Sequence, residues 1–394
     1  MGVRSSPTSL QTGSSHAGCP AARSSDTRQE GDITQTPVTI LTGFLGSGKT
    51  TLLNRALRTP AMARTAVVIN EFGEISLDHA LAASSDDTIM VLENGCLCCT
   101  VFGDLVGTLN RLYHAREAAE IPRFDHVVIE TSGLADPAPV LQAFLSDPTL
   151  AGLYRIAIVI ATVDAVNSPG TLDNYVESVR QIALADYILI TKLDLVDAGI
   201  AEREAALTAR LRAINPAARI TRIGDPACDP CELLRSTGLD PADPKADPRA
   251  WLNLTAYEHH DHDGHSGHDH GHEHHGLLDR DIASFSFIRE QPIPRDALRF
   301  LLEALQQNLG PNLLRVKGIV HIAEEPDRPA VIQGAQHLLH TLSWLDRWPD
   351  EDRRTKIVFI TQGYDRAEVE DMIAVLDRVA ARTAAARARA SSSQ

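Results

Sequence analysis

The chain has few cysteines, no excess of basic charge and no long apolar run. Six cysteines in 394 residues do not make the disulfide framework of a small secreted domain. Lysine and arginine number 37 against 52 aspartates and glutamates, a formal charge of −15. A nucleic-acid binder needs a concentrated basic surface, so this balance argues against that class. No apolar stretch reaches the roughly 20 residues that span a bilayer, and no membrane partner is expected. The first 36 residues, rich in Ser, Thr, Gly and Arg, have no apolar centre like that of a secretory signal. Asp26, Glu30 and Asp32 put acid into them, against a transit peptide. They read as a disordered tail, and a reducing cytoplasm is the expected setting.

The scarce residues are unevenly spread. Cys96, Cys98 and Cys99 fall within four positions, and nine of the sixteen histidines lie between 259 and 275. Clustering of this kind in a cytosolic protein points to metal or redox chemistry.

From Pro37, short apolar runs alternate with amphipathic stretches. Strands are expected at 38–42, 66–70, 88–92, 126–130, 156–163 and 187–191, and helices at 49–58, 103–119, 136–146, 173–184 and 200–213. Continuous apolar strands separated by helices predict an α/β domain, a mostly parallel sheet covered by helices on both faces, over 37–223. Residues 224–280 contain Asp-Pro five times and then a His/Asp/Gly tract; they read as a linker with little core of its own. A smaller C-terminal α/β domain is expected over 281–383, with strands at 282–288, 313–323, 329–333 and 356–361 and helices at 295–308 and 365–383. The last residues, 384–394, read as a second disordered tail.

Residues 43–50, GFLGSGKT, match the P-loop pattern between an apolar strand and an amphipathic helix. Gly43, Gly46 and Gly48 let the backbone curl so that N–H groups, Ser47 among them, face phosphates at a helix N-terminus. Lys49 reaches the β- and γ-phosphates, Thr50 offers its hydroxyl to Mg²⁺, and Thr51 follows it into the helix. P-loop proteins also need a carboxylate and a γ-phosphate sensor. VVIETSG (127–133) supplies Glu130, to hold a Mg²⁺-bound water or position the attacking water, and Gly133, whose N–H faces the γ-phosphate. TKLD (191–194) stands where GTPases carry Asn-Lys-x-Asp. Asp194 accepts from guanine, Lys192 packs its stem on the purine, and Thr191 replaces the usual Asn. GTP is therefore expected over ATP.

ENGCLCC (93–99) follows a strand, and residues two apart on an extended chain share a face, so Cys96 and Cys98 converge on one ion. Cys99 joins if the chain turns. Three soft thiolates with an open position suit Zn²⁺ or Co²⁺ that must come and go. Cys228 and Cys231 form a lone C-x-x-C, read as a loop entering a helix with Asp229 as N-cap and Pro230 at the first helical position. The tract 258–276 carries His259, His260, His262, His265, His268, His270, His272, His274 and His275. Entirely polar and broken by glycine, it cannot pack a core, and its overlapping ligand sets suit weak, exchangeable metal binding.

Together these motifs, with NEFGEISLD (70–78), ETSGLADP (130–137), LRVKGIVHIAEEPDRPAVIQGAQHLLH (314–340) and RTKIVFITQG (354–363), resemble the CobW-like family of P-loop GTPases, over residues 37 to about 380. The family is related to the GTPases that help insert nickel into urease and hydrogenase. The resemblance implies GTP hydrolysis coupled to metal handling for a client metalloprotein. It also implies that Glu71 and Glu74 belong to a switch segment near the γ-phosphate and metal. The expected function is a Mg²⁺-dependent GTPase that carries zinc or cobalt to a client. The alternatives are a zinc store or sensor centred on the His tract, and an ATP-using small-molecule kinase. The sequence leaves a homo-oligomer open.

Overall fold

Uninterrupted runs of β-branched and aliphatic residues build the first sheet of the computed structural model. The structure describes residues 35–71, 89–93, 100–196, 199–226, 228–240, 243, 247–258, 281–336, 338–339, 342–375 and 378. Strands β1 (Thr36–Gly43), β2 (Thr65–Glu71), β3 (Ile89–Glu93), β4 (His126–Thr131), β5 (Tyr154–Asp164), β6 (Tyr187–Thr191) and β7 (Arg219–Arg222) pair in the order β3-β2-β4-β1-β5-β6-β7. Every pairing in this sheet is parallel. Helices cover both faces, so β1, β4 and β5 are buried almost throughout, as continuous apolar strands require.

One face packs Val38, Ile40, Val127 and Ile129 against Leu105, Leu109 and Leu112 of the helix Thr100–Glu117 and Phe144 of the helix Ala138–Ser146. The other packs Leu41, Val67 and Ile160 against Leu52 and Leu53 of the helix Lys49–Leu57. On the far side of β5, helices Val176–Leu184 and Ile200–Ile214 bring Val179, Ile182, Leu207 and Leu211 onto β6.

Three local outcomes differ from the sequence reading. β1 begins at Thr36, one residue inside the expected tail. β7, with the sequence RITR, shows no apolar run because it is a half-exposed edge strand. The helix expected over 173–184 is two, Ser168–Asn174 and Val176–Leu184, broken at Tyr175, whose backbone is extended.

The second sheet is antiparallel. It contains β8 (Ile282–Arg289), β9 (Leu313–Val320), β10 (Ala330–Ala335), β11 (Leu338–Leu339), β12 (Ser343–Trp344) and β13 (Thr355–Gln362), in the order β11-β10-β9-β13-β8 with β12 on β10. The helix Arg295–Leu309 repeats apolar residues at 298, 301, 302, 305 and 309, the stripe of a surface helix. It buries them against Phe285, Val316 and Phe359, with Val369 and Ile373 of the helical stretch 366–375 alongside. The opposite face packs Leu314 and Ile360 against Ile182 and Ile214 of the first domain.

That contact carries charge. Arg315 and Lys317, two apart on β9, share a face and both reach Asp186, at the start of β6. Burial opposes ionisation of Asp186, but the two cations hold its carboxyl at about 2. Breaking such a cluster by removing one partner costs about 3–5 kcal/mol.

The reading of 224–280 as a linker fails for its first part. Cys231, Leu233 and Leu234 pack under the first sheet, and Leu252 and Tyr257 against Ile319 and Val358 of the second. These residues sit on helices of five residues or fewer, too short to show a period. Residues 259–280 lie outside the described residues. No described helix is long and apolar enough to cross a membrane.

His126 is buried at the start of β4, with Nε2 2.9 Å from the Thr39 hydroxyl, which donates to the Leu234 carbonyl at 2.9 Å. Burial, then the nearby Arg235, lowers its pKa to about 4. The folded chain holds His126 neutral while the unfolded chain protonates near 6.5, so its contribution is intact above pH 6.5 and falls as pH drops towards 4. The loss is at most about 3 kcal/mol. Melting temperature measured from pH 7 to 4.5 should fall less steeply in His126→Gln than in the wild type.

Candidate functional site

In an open parallel sheet, the crevice for a ligand lies beyond the carboxyl ends of the strands, where the strand order reverses. That point here is the end of β1, between β4 and β5, and the loops after β1, β4, β5 and β6 meet there.

The loop after β1 carries Gly43, Gly46 and Gly48 at φ 136°, 70° and 97°, a left-handed run that side chains resist. At Gly43 space is excluded too: a Cβ would stand 2.4 Å from the Thr162 carbonyl oxygen and hydroxyl. Ser47 is buried and its hydroxyl lies 2.6 Å from that of Thr162. Lys49 folds back over the loop, donating to the carbonyls of Gly43 at 2.8 Å and Phe44 at 3.3 Å. The helix Lys49–Leu57 then starts with no acidic residue in its first turn, leaving its N-terminus open to an anion. Thr51 is exposed on this helix.

Thr50 donates its hydroxyl to Glu130 Oε1 at 2.5 Å. Glu130, buried at the end of β4, thus meets the loop, and the pair presents hard oxygen donors of the kind Mg²⁺ takes. Gly133 is held directly against the phosphate loop, where a Cβ would lie 2.6 Å from the Leu45 backbone nitrogen. Gln181 donates from Nε2 to the carbonyls of Gly133 (3.1 Å) and Ala135 (3.0 Å).

Thr191 donates its hydroxyl to the Ser47 carbonyl at 2.8 Å. It faces the phosphate loop and ties it to the end of β6. Lys192 sits in the left-handed region at φ 59°, with Nζ 2.8 Å from Asp164 Oδ2. Asp194 is exposed on the short turn Leu193–Leu195. A pocket of 240 Å³ lies beside the loop, bounded by Gly43, Phe44, Thr162, Asp164, Asn167 and Gln181.

Asp164, Asn167, Thr162 and Gln181 were not singled out by sequence. Burial opposes ionisation of Asp164, yet the Lys192 ammonium, the Asn167 amide and two backbone N–H groups hold its carboxyl below the usual range. The available signal was an Asp closing the apolar run 156–163, on the same sheet edge as Glu130 and Thr191. Gln181 lies within a helix and gave no signal.

Residues 37–222 match the family described as CobW/HypB/UreG, nucleotide-binding domain, and residues 282–376 match the Cobalamin synthesis protein cobW C-terminal domain. The chain is 34% identical over 323 residues to the zinc chaperone YjiA of Escherichia coli, covering 82% of this chain and 93% of that protein. The chain belongs to the CobW family. It is also 31% identical to the zinc chaperone CobW of Pseudomonas aeruginosa, over 86% of this chain and 91% of that protein. The crystal structure of Zn(II)-bound YjiA GTPase from E. coli superposes with a TM-score of 0.61 at 29% identity, over 87% of this chain and 99% of that one.

Of the other residues read from sequence, Cys96, Cys98, Cys99 and Glu74 lie outside the described residues. So do His259, His260, His262, His265, His268, His270, His272, His274 and His275. Glu71 is described only as the backbone end of β2. No group of three or more His, Cys, Asp or Glu placed to hold a metal occurs among the described residues. The Cys228/Cys231 pair behaves as the loop-into-helix reading expects: Asp229 caps the helix Pro230–Leu234 by accepting from the Cys231 N–H, and Pro230 opens it. Burial, then Asp225 and Asp229, pushes the Cys228 thiol up, which disfavours the thiolate a metal needs.

Gly133→Ala tests the contact of the two loops. Backbone on both sides cannot yield cheaply, so urea denaturation should show a loss of about 1–3 kcal/mol, with weaker binding of a GTP analogue. Unaltered stability and binding would remove Gly133 from the site.

Proposed function

We propose that this chain is a GTP-hydrolysing metallochaperone. It binds zinc or cobalt at the C-x-C-C loop and passes it to a client protein under control of the nucleotide. The observation that carries the reading is the common sheet edge. β3, β4 and β1 are parallel and end on one side, so β3 ends at Glu93, three positions before Cys96 in sequence, on the same edge as Glu130 and the phosphate loop. Two strand spacings separate β3 from β4, about 10 Å. Similarity to two proteins named zinc chaperones along nearly their whole length supports the choice of cargo.

In this reading the N–H groups of 43–50 and the helix N-terminus hold the β- and γ-phosphates, and Lys49 turns from its loop carbonyls towards them. Thr50 would hold Mg²⁺ through its hydroxyl and Glu130 would hold a Mg²⁺-bound water or position the attacking water; the ion would supply charge neutralisation at the phosphate oxygens. The Gly133 N–H meets the γ-phosphate. Asp194 accepts from guanine and Lys192 lies along the purine. Thr191 stands in place of the usual Asn and bonds to Ser47, so one polar contact to the base differs from the Asn-Lys-x-Asp pattern. Hydrolysis removes the γ-phosphate contacts, relaxes the loops after β2 and β4, and loosens the cysteine site. Residues 259–275 serve as a weak metal buffer. Residues 37–223 and 281–383 form the GTPase and C-terminal domains.

Zinc and cobalt affinities, measured by competition with a chromophoric chelator, should rise about tenfold with Mg²⁺ and a non-hydrolysable GTP analogue, about 1.4 kcal/mol of coupling. The triple change of Cys96, Cys98 and Cys99 to Ser should abolish that dependence, and deletion of 259–275 should leave it. An affinity indifferent to nucleotide would favour the zinc store or sensor.

A further inference from the structure

The C-terminal domain sends one polar side chain to the loop that follows Glu130. Gln336, just after β10, donates from Nε2 to Asp136 Oδ2 at 2.7 Å. The same oxygen accepts from Arg180 Nη1 at 3.2 Å, and Asp136 Oδ1 accepts from the Ala138 N–H at 2.9 Å. Gln142 Nε2 lies 3.4 Å from Gln336 Oε1. The loop Gly133–Asp136 is therefore held at one end by Gln181 on the carbonyls of Gly133 and Ala135, and at the other through Asp136.

Gln336 is placed there at a cost. Its φ is 53°, a region a Gln side chain seldom adopts outside a constrained setting. It is buried, its N–H donates to the Leu313 carbonyl at 2.6 Å, and the neighbouring Ala335 packs in the core with Leu141 and Leu184. The backbone thus fixes the amide against Asp136.

We infer that Gln336 is a positioning residue for GTP hydrolysis, supplied by the C-terminal domain, which acts through Asp136 to hold the Gly133 loop in register with the phosphate loop. The inference rests on the reading of Gly133 as the γ-phosphate contact. A γ-phosphate that pulls on Gly133 then strains or relieves the Asp136–Gln336 bond. Any ligand that shifts β10 changes affinity for the γ-phosphate through the same bond, since coupling between binding sites is reciprocal.

Two variants test this in the full-length chain. Gln336→Gly removes the amide and is at ease at positive φ; Gln336→Met keeps the bulk and removes the donor. Both should lower kcat for GTP about tenfold, since a small misplacement of a positioned group costs about that much or more. Affinity for GDP, which lacks the γ-phosphate, should stay within about twofold of wild type. A general structural defect would weaken GDP binding and lower the melting temperature in both variants, and that result would overturn the inference. Wild-type kcat in both variants would also overturn it. A wild-type chain that binds guanine nucleotide without hydrolysing it would instead overturn the reading of the site on which the inference rests.

Discussion

The close approach of β1 to β5 sets the rest of the site. Gly43 ends β1 in a space too small for any side chain, hard against Thr162, and the Ser47 hydroxyl meets the same threonine. With its start fixed there, the loop has one place for Lys49, Thr50 and the first turn of the helix. The parallel register then brings Glu130 to Thr50 and Thr191 to Ser47. A parallel sheet ends its strands on one edge, so one tight contact at its centre organises groups from four loops.

The second domain is joined at both ends of this sheet by different physics. Near the amino ends, Arg315 and Lys317 pair with Asp186, a contact that is costly to break and so favours a fixed arrangement. Near the carboxyl ends, Gln336 makes a neutral–anionic hydrogen bond to Asp136, a lighter contact that can be exchanged. The second domain thus meets the first through a charged anchor at one end of the sheet and a lighter contact at the other.

Legibility in the sequence followed exposure and length. Strands β1, β2, β4, β5 and β6 stood out because burial on both faces leaves runs dominated by β-branched and aliphatic residues. β7 did not, being half-exposed, and the short helices of 230–258 carry too few residues to show a period. Among functional groups, GFLGSGKT was readable because its glycines and lysine fall within one short stretch of chain, 43–50. Asp164 and Gln181 act through partners 28 and 48 positions away in the chain, and nothing local marks them.

The sequence by itself determined the phosphate loop, the carboxylate at the end of β4, the alternation of strands and helices, and the metal-ligand-rich segments, because each depends on residue type and spacing within one stretch of chain. The tertiary structure decided how Thr191 is used, which carboxylate holds Lys192, that the helices Pro230–Leu234, Pro248–Leu252 and Thr255–Glu258 send residues into the core, and that the second domain reaches Asp136. Each of these is a meeting of residues remote in sequence, and only the packing of strands and helices sets which of them touch.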